Sequence, residues 1–119
     1  MKVPFFDWQA LYSERGVEFG RIFHQTASRG GFILQREVDE FEEKLAAFCG
    51  VKHAVGVADC TNALLLGLRA IGLKPGDEVV LPSHSFVAAA QSVHFAGGVP
   101  VPVELGADFL IDPAAIESA

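Results

Sequence analysis

Two short segments carry the residue types from which a binding site could be built. Ala58-Asp59-Cys60-Thr61-Asn62-Ala63 follows the apolar run Ala54-Val55-Gly56-Val57, and Ser83-His84-Ser85-Phe86 follows the run Glu78 to Leu81. Each reads as the carboxyl end of a buried strand that leads into a helix, the place where open α/β sheets bind ligands. In the first segment a helix N-terminus would present free backbone N–H groups and its positive dipole end to an anion. Small side chains let a phosphate approach closely, and Thr61 adds a hydroxyl donor. The same residues also make an ordinary helix cap through Asp59 or Thr61, and on local chemistry alone the cap is the better reading. In the second segment Phe86 could stack on a planar heterocycle, and His84 could serve as a base or polar contact. The plainer alternative makes Phe86 a core residue and His84 a solvated side chain, and local grounds again favour it.

Other chemistries find less support. Neither GxGxxG nor GxxxxGK[ST] occurs, so dinucleotide and P-loop sites have no basis. His24, His53, His84 and His94 show no metal-ligand spacing with Cys49 and Cys60, and no metal is expected. Cys60 reads as a structural thiol, because no nearby residue offers an obvious base. The carboxylates Glu37, Asp39, Glu40, Glu42 and Glu43 read as a solvated helix face rather than paired acid–base groups.

The elements that must position these segments alternate. Ala54–Val57 is a continuous apolar run expected to form a strand. Asn62 to Ile71 places Leu64, Leu65, Leu68 and Ile71 at helical spacing, with Gly72 set to end it. Lys74-Pro75-Gly76-Asp77 is turn chemistry before a second strand, Glu78 to Leu81, stopped at Pro82. Phe86 to Phe95 reads as a helix followed by Gly97-Gly98. Val99 to Val103 is a third strand, placed at an edge or made irregular by Pro100 and Pro102. Asp112-Pro113 caps and starts a last helix. This order implies an α/β fold with a parallel sheet. Before it come an aromatic arm (Phe5, Phe6, Trp8, Leu11), a helix over Tyr12 to Thr26, and a break at Ser28-Arg29-Gly30-Gly31. A second helix, striped by Val38, Phe41, Leu45 and Phe48, closes at Gly50.

Composition bounds the function. In 119 residues, nine Lys and Arg face fifteen Asp and Glu, a net charge of −6, which argues against a nucleic-acid surface or a polybasic membrane module. No stretch approaches the roughly 18 uninterrupted apolar residues of a spanning helix. Met1 to Ala10 lacks the pattern of a signal peptide. Two cysteines make no disulfide framework, which suits a reducing, cytoplasmic setting. Ten phenylalanines and 50% hydrophobic residues exclude disorder. Three strands are few for so many apolar helix faces, and the last helix is short, so the sequence reads as a piece of something larger. The residues alone leave open a self-sufficient, unrelated α/β nucleotide-binding domain.

Several segments in order resemble one family. They are Val3-Pro4-Phe5-Phe6-Asp7, Gly31-Phe32-Ile33-Leu34, Glu37-Val38-Asp39-Glu40-Phe41-Glu42 and Gly50-Val51-Lys52-His53-Ala54-Val55-Gly56-Val57. Thr61-Asn62-Ala63-Leu64, Gly76-Asp77-Glu78-Val79-Val80-Leu81-Pro82-Ser83 and Phe86-Val87-Ala88 follow. Together they resemble the N-terminal third of the DegT/DnrJ/EryC1/StrS family of pyridoxal-phosphate-dependent nucleotide-sugar aminotransferases. The resemblance implies the first part of a fold-type I large domain, a parallel-sheet core with flanking helices. Residues 1–30 would be an N-terminal arm and helix, and residues 31–119 the start of the cofactor-binding domain.

It also implies that pyridoxal 5'-phosphate is held at its phosphate by Cys60 and Thr61 and at its ring by Phe86. Cys60 stands where the family often has Gly. The implied substrates are a keto-sugar nucleotide and a glutamate or glutamine donor, and the implied assembly is a homodimer. The family's Schiff-base lysine is expected beyond residue 119, since Lys2, Lys44, Lys52 and Lys74 do not match its position. These 119 residues alone are therefore expected to be inactive. A histidine at the lysine's position would instead indicate a sugar dehydratase of the same family. A truncated, non-catalytic binding remnant is a third possibility.

Overall fold

A computed structural model describes residues 3–119; Lys2, one of the four lysines weighed above, lies outside the described residues. The chain divides into two compact units, Met1–Gly56 and Val57–Ala119.

In the first unit, α1 spans Trp8–Ala27 and α2 spans Arg36–Cys49. Asp7 starts α1 by accepting the Ala10 N–H at 2.9 Å, which satisfies one of the orphan donors of the first turn. α2 ends where Gly50 turns left-handed at φ 67° and returns its N–H to Ala46 and Ala47. The acidic run on α2 is largely engaged. Glu37 pairs with Arg29 and Arg36, and Arg36 also pairs with Glu40 at 3.1 Å. Glu42 reaches outside its helix, its Oε1 accepting the Gly56 N–H at 2.6 Å.

The second unit holds α3 (Cys60–Ala70), β1 (Glu78–Pro82), α4 (Ala88–Ala96), β2 (Val99–Val103) and α5 (Pro113–Ser118). β1 and β2 pair in parallel from Glu78↔Val99 to Pro82↔Val103, with α4 as the crossover. This is the expected α/β arrangement. Pro100 and Pro102 do not make β2 irregular. The Val99 N–H donates toward β1, to the Asp77 carbonyl at 2.8 Å. Backbone direction alternates along a strand, so the two missing N–H groups fall on the side away from β1. The ladder loses nothing, and β2 is an edge of the two-stranded sheet.

The strand expected at Ala54–Val57 does not form among the described residues. A strand exists only through a hydrogen-bonded neighbour, and this run has none here. Val55 stays exposed, and the division between the two units falls beside Gly56.

The core of the second unit is small. Ala88, Ser92 and Val93 of α4 and Val103 of β2 are buried. α3 packs along α4, and α4 lies on both strands. Gly98 lets β2 approach α4 closely: a Cβ there would stand 2.9 Å from Leu73 Cδ2, 3.0 Å from the Asp77 carbonyl and 3.1 Å from Val93 Cγ1.

Candidate functional site

The candidate site begins at Asp59. Its backbone is extended (φ −162°, ψ 175°), and helical dihedrals start at Cys60. The first four N–H groups of a helix have no intrahelical acceptor. Asn62 and Ala63 are satisfied by Asp59 itself: its carboxylate accepts the Asn62 N–H at 2.8 Å, and its carbonyl accepts the Ala63 N–H at 3.0 Å. The other carboxylate oxygen accepts the Asn62 side-chain amide at 2.9 Å. The Asn62 N–H first, then the Asn62 side chain and, least, the Thr61 N–H hold the Asp59 carboxyl below the usual aspartate range. The plain cap is thus present, but it consumes only part of the first turn. The Thr61 N–H also faces the Asp59 carboxylate, the smallest of its contacts; the Cys60 N–H takes no part in the cap, and the Cys60 side chain is exposed.

The second segment follows β1. The Ser83 N–H donates to the Val103 carbonyl at 2.8 Å, tying the end of β1 to the end of β2. The chain then turns through exposed His84, Ser85 and Phe86 before α4 starts at Ala88. Phe86 is 77% exposed, so it is not the core residue that local grounds favoured. Core helix positions pass instead to the small Ala88 and Ser92, with Val93.

One side chain ties the first segment to α4. Ser92 Oγ lies 2.7 Å from the Ala88 carbonyl and 3.1 Å from the Thr61 carbonyl. The first turn of α3 therefore meets α4 at Ser92, six residues beyond Phe86. The first-turn N–H groups and hydroxyl of α3 and the exposed ring of Phe86 thus belong to the same unit. Helix-start N–H groups can hold an anion, and an exposed aromatic ring can stack on a planar one. No residue type at the site conflicts with a phosphate except Asp59, whose carboxylate is already committed to Asn62.

The remaining candidates separate from this site. Cys49 is exposed and unpaired. Among the described residues no group of three His, Cys, Asp or Glu side chains is placed to hold a metal ion. No helix among them is long and apolar enough to cross a membrane. Sequence reasoning missed Ser92 and Glu42. Ser92 carried one weak signal, a hydroxyl on an otherwise apolar face between Ala88 and Val93; Glu42 carried none among its acidic neighbours.

Comparison with known proteins adds a second line of evidence. Residues 15–119 match the model of the DegT/DnrJ/EryC1/StrS aminotransferase family. The chain is 40% identical over 119 residues to dTDP-3-amino-3,4,6-trideoxy-alpha-D-glucose transaminase of Streptomyces venezuelae, covering 99% of this chain and 31% of that protein. The crystal structure of S. venezuelae DesV in complex with a ketimine intermediate superposes with a TM-score of 0.93 at 40% identity, over 98% of this chain and 32% of that one. NtdA of Bacillus subtilis with bound cofactor PMP superposes with a TM-score of 0.92 at 32% identity, over 99% of this chain and 28% of that one. The chain therefore spans about a third of the length of the relatives it matches. Its fold is that of the corresponding part of these aminotransferases, and by the family match and these identities the chain belongs to the DegT/DnrJ/EryC1/StrS aminotransferase family.

Proposed function

We propose that this chain supplies the phosphate- and ring-binding portion of a pyridoxal 5'-phosphate-dependent aminotransferase that acts on a keto-sugar nucleotide. The observation that carries the reading is the helix start at Cys60 and Thr61, together with the exposed ring of Phe86, in a chain of this family. The Cys60 and Thr61 N–H groups hold the phosphate, and the Thr61 hydroxyl donates a further hydrogen bond. Phe86 lies against the pyridine ring and fixes its plane. When bound, the cofactor supplies the electron-withdrawing ring through which an amino group passes from donor to keto sugar.

In this reading residues 1–30 are an arm and helix, and residues 31–119 are the first part of the cofactor-binding domain. The Schiff-base lysine lies beyond residue 119, so these residues bind and orient but do not transfer. The amino donor is glutamate or glutamine, the parent works as a homodimer, and its compartment is the cytoplasm. The names of the relatives support a sugar substrate, and the PMP in the NtdA structure supports the cofactor class.

A calorimetric titration of the chain with pyridoxamine 5'-phosphate and with pyridoxamine tests the assignment without needing catalysis. A charge-assisted hydrogen bond contributes about 1.5–3 kcal/mol, so the phosphate-bearing ligand should bind at least about tenfold more tightly. Equal affinity for the two ligands, or binding of neither, would overturn it.

A further inference from the structure

We propose that Ser92 is a positioning residue for the anion-binding first turn of α3, acting by a hydrogen bond from its hydroxyl to the Thr61 carbonyl. The inference rests on the reading of Cys60 and Thr61 as the phosphate-holding groups. It begins from burial: Ser92 is fully buried, at 0% exposure, the most enclosed side chain described in the chain. A buried hydroxyl that finds no partner is costly, so its placement needs a reason. A serine inside a helix commonly returns its hydroxyl to the carbonyl four residues back, and the Ala88 carbonyl at 2.7 Å offers that option. That local bond alone would leave the Thr61 carbonyl, 3.1 Å away, facing an oxygen lone pair. The hydroxyl has a single proton, and sharing it between the two carbonyls removes that repulsion and ties α4 to α3.

The position of the tie matters more than its strength. Helix termini have the fewest backbone bonds and open most readily. At the other end of α3, Arg69 in the last turn donates to the Phe95 carbonyl of α4 at 3.2 Å, but across an exposed contact. At the first turn the corresponding tie is part-buried, made from the fully buried Ser92 side chain. Holding the Thr61 carbonyl holds the dihedrals on which the direction of the Cys60 and Thr61 N–H groups depends. A first turn already held in its binding geometry does not have to be ordered when an anion arrives, and that saving appears as affinity. Ser92 touches no ligand in this role and acts only through Thr61.

The test uses inorganic phosphate as probe, with backbone amide signals of the chain followed by NMR. In the unsubstituted chain, phosphate should shift the Cys60 and Thr61 amides saturably. In Ser92→Ala the apparent Kd for phosphate should rise about three- to tenfold, the range expected for one lost neutral hydrogen bond. Hydrogen exchange without ligand supplies a readout that general loss of stability would not move selectively. Exchange at Leu65, whose N–H bonds the Thr61 carbonyl within the helix, should accelerate, while exchange in the last turn of α3 stays unchanged. Ser92→Cys, which keeps the volume but donates weakly, should fall between the two chains and is read in place of Ser92→Ala if that variant does not fold. An unchanged Kd and unchanged exchange at Leu65 in a folded variant would overturn the role of Ser92 alone. No phosphate response at Cys60 and Thr61 in the unsubstituted chain would overturn the site reading and this inference with it.

Discussion

Gly98 and Gly67 give the same substitution opposite signs, and the contrast tests the packing of the second unit. A Cβ at Gly98 would lie 2.9 Å from Leu73 Cδ2, 3.0 Å from the Asp77 carbonyl and 3.1 Å from Val93 Cγ1. Leu73 could rotate away, but the Asp77 carbonyl is backbone and already accepts the Val99 N–H at 2.8 Å. Gly98→Ala therefore forces β2 away from α4 or from the Asp77 turn. Overpacking of this kind costs about 1–3 kcal/mol. For a unit of this size each kcal/mol lowers the melting temperature by roughly 4–8 °C, so a drop of roughly 8–16 °C is expected at about 2 kcal/mol. Gly67 sits inside α3 with nothing within 4 Å of the point where a Cβ would stand, and Gly67→Ala should stabilise by about 0.5–1 kcal/mol through helix propensity. Thermal unfolding of both variants, followed by circular dichroism at one protein concentration, checks the pair. A Gly98→Ala chain that melts at or above the temperature of the unsubstituted chain would refute the close approach of β2 to α4.

Three further outcomes follow from the geometry. Phe86→Ala should leave the melting temperature nearly unchanged, because the ring is 77% exposed, while weakening pyridoxamine 5'-phosphate binding severalfold by calorimetry. Asp59 has a depressed folded-state pKa, so the stability it contributes is present above the ordinary aspartate value and is lost as pH falls through the folded value. Asp59→Asn keeps a cap acceptor without the titration, and urea unfolding should show less acid-side loss of stability than in the unsubstituted chain. Phe109 holds φ 63° in the turn where Gly106 and Leu110 bond at 2.9 Å, and the ring is exposed. Phe109→Gly should therefore raise the melting temperature by several degrees, since the left-handed conformation costs a non-glycine residue about 1–2 kcal/mol.

Much of the fold was legible because local rules and tertiary structure agree. α4 and β2 are bounded by Gly97, which is left-handed at φ 97°, and α5 by the Asp112 cap on Ala114, all of them short-range features. Ala54–Val57 was not legible, because an apolar run states a tendency while a strand requires a partner. Phe86 failed the local reading for a related reason. Whether an aromatic is buried depends on what packs over it, and here the small residues Ala88 and Ser92 take the interior positions. The anion-binding reading of Cys60 and Thr61 could not be separated from a cap by sequence, since both use the same residue types. In the structure the cap is present: Asp59 takes the Asn62 and Ala63 N–H groups and its carboxylate also faces the Thr61 N–H, so the anion-binding reading stands as a proposal beside it. Ser92 escaped notice because a serine on a helix face gives no sign of which carbonyl it will meet.

The most direct test is an amide and aromatic NMR map of the chain titrated with pyridoxamine 5'-phosphate. The proposed site requires saturable shifts at the Cys60 and Thr61 amides together with the Phe86 ring, and loss of the amide shifts when pyridoxamine replaces the phosphorylated ligand. Shifts confined to other residues, or shifts at Cys60 and Thr61 that do not depend on the phosphate, would contradict it.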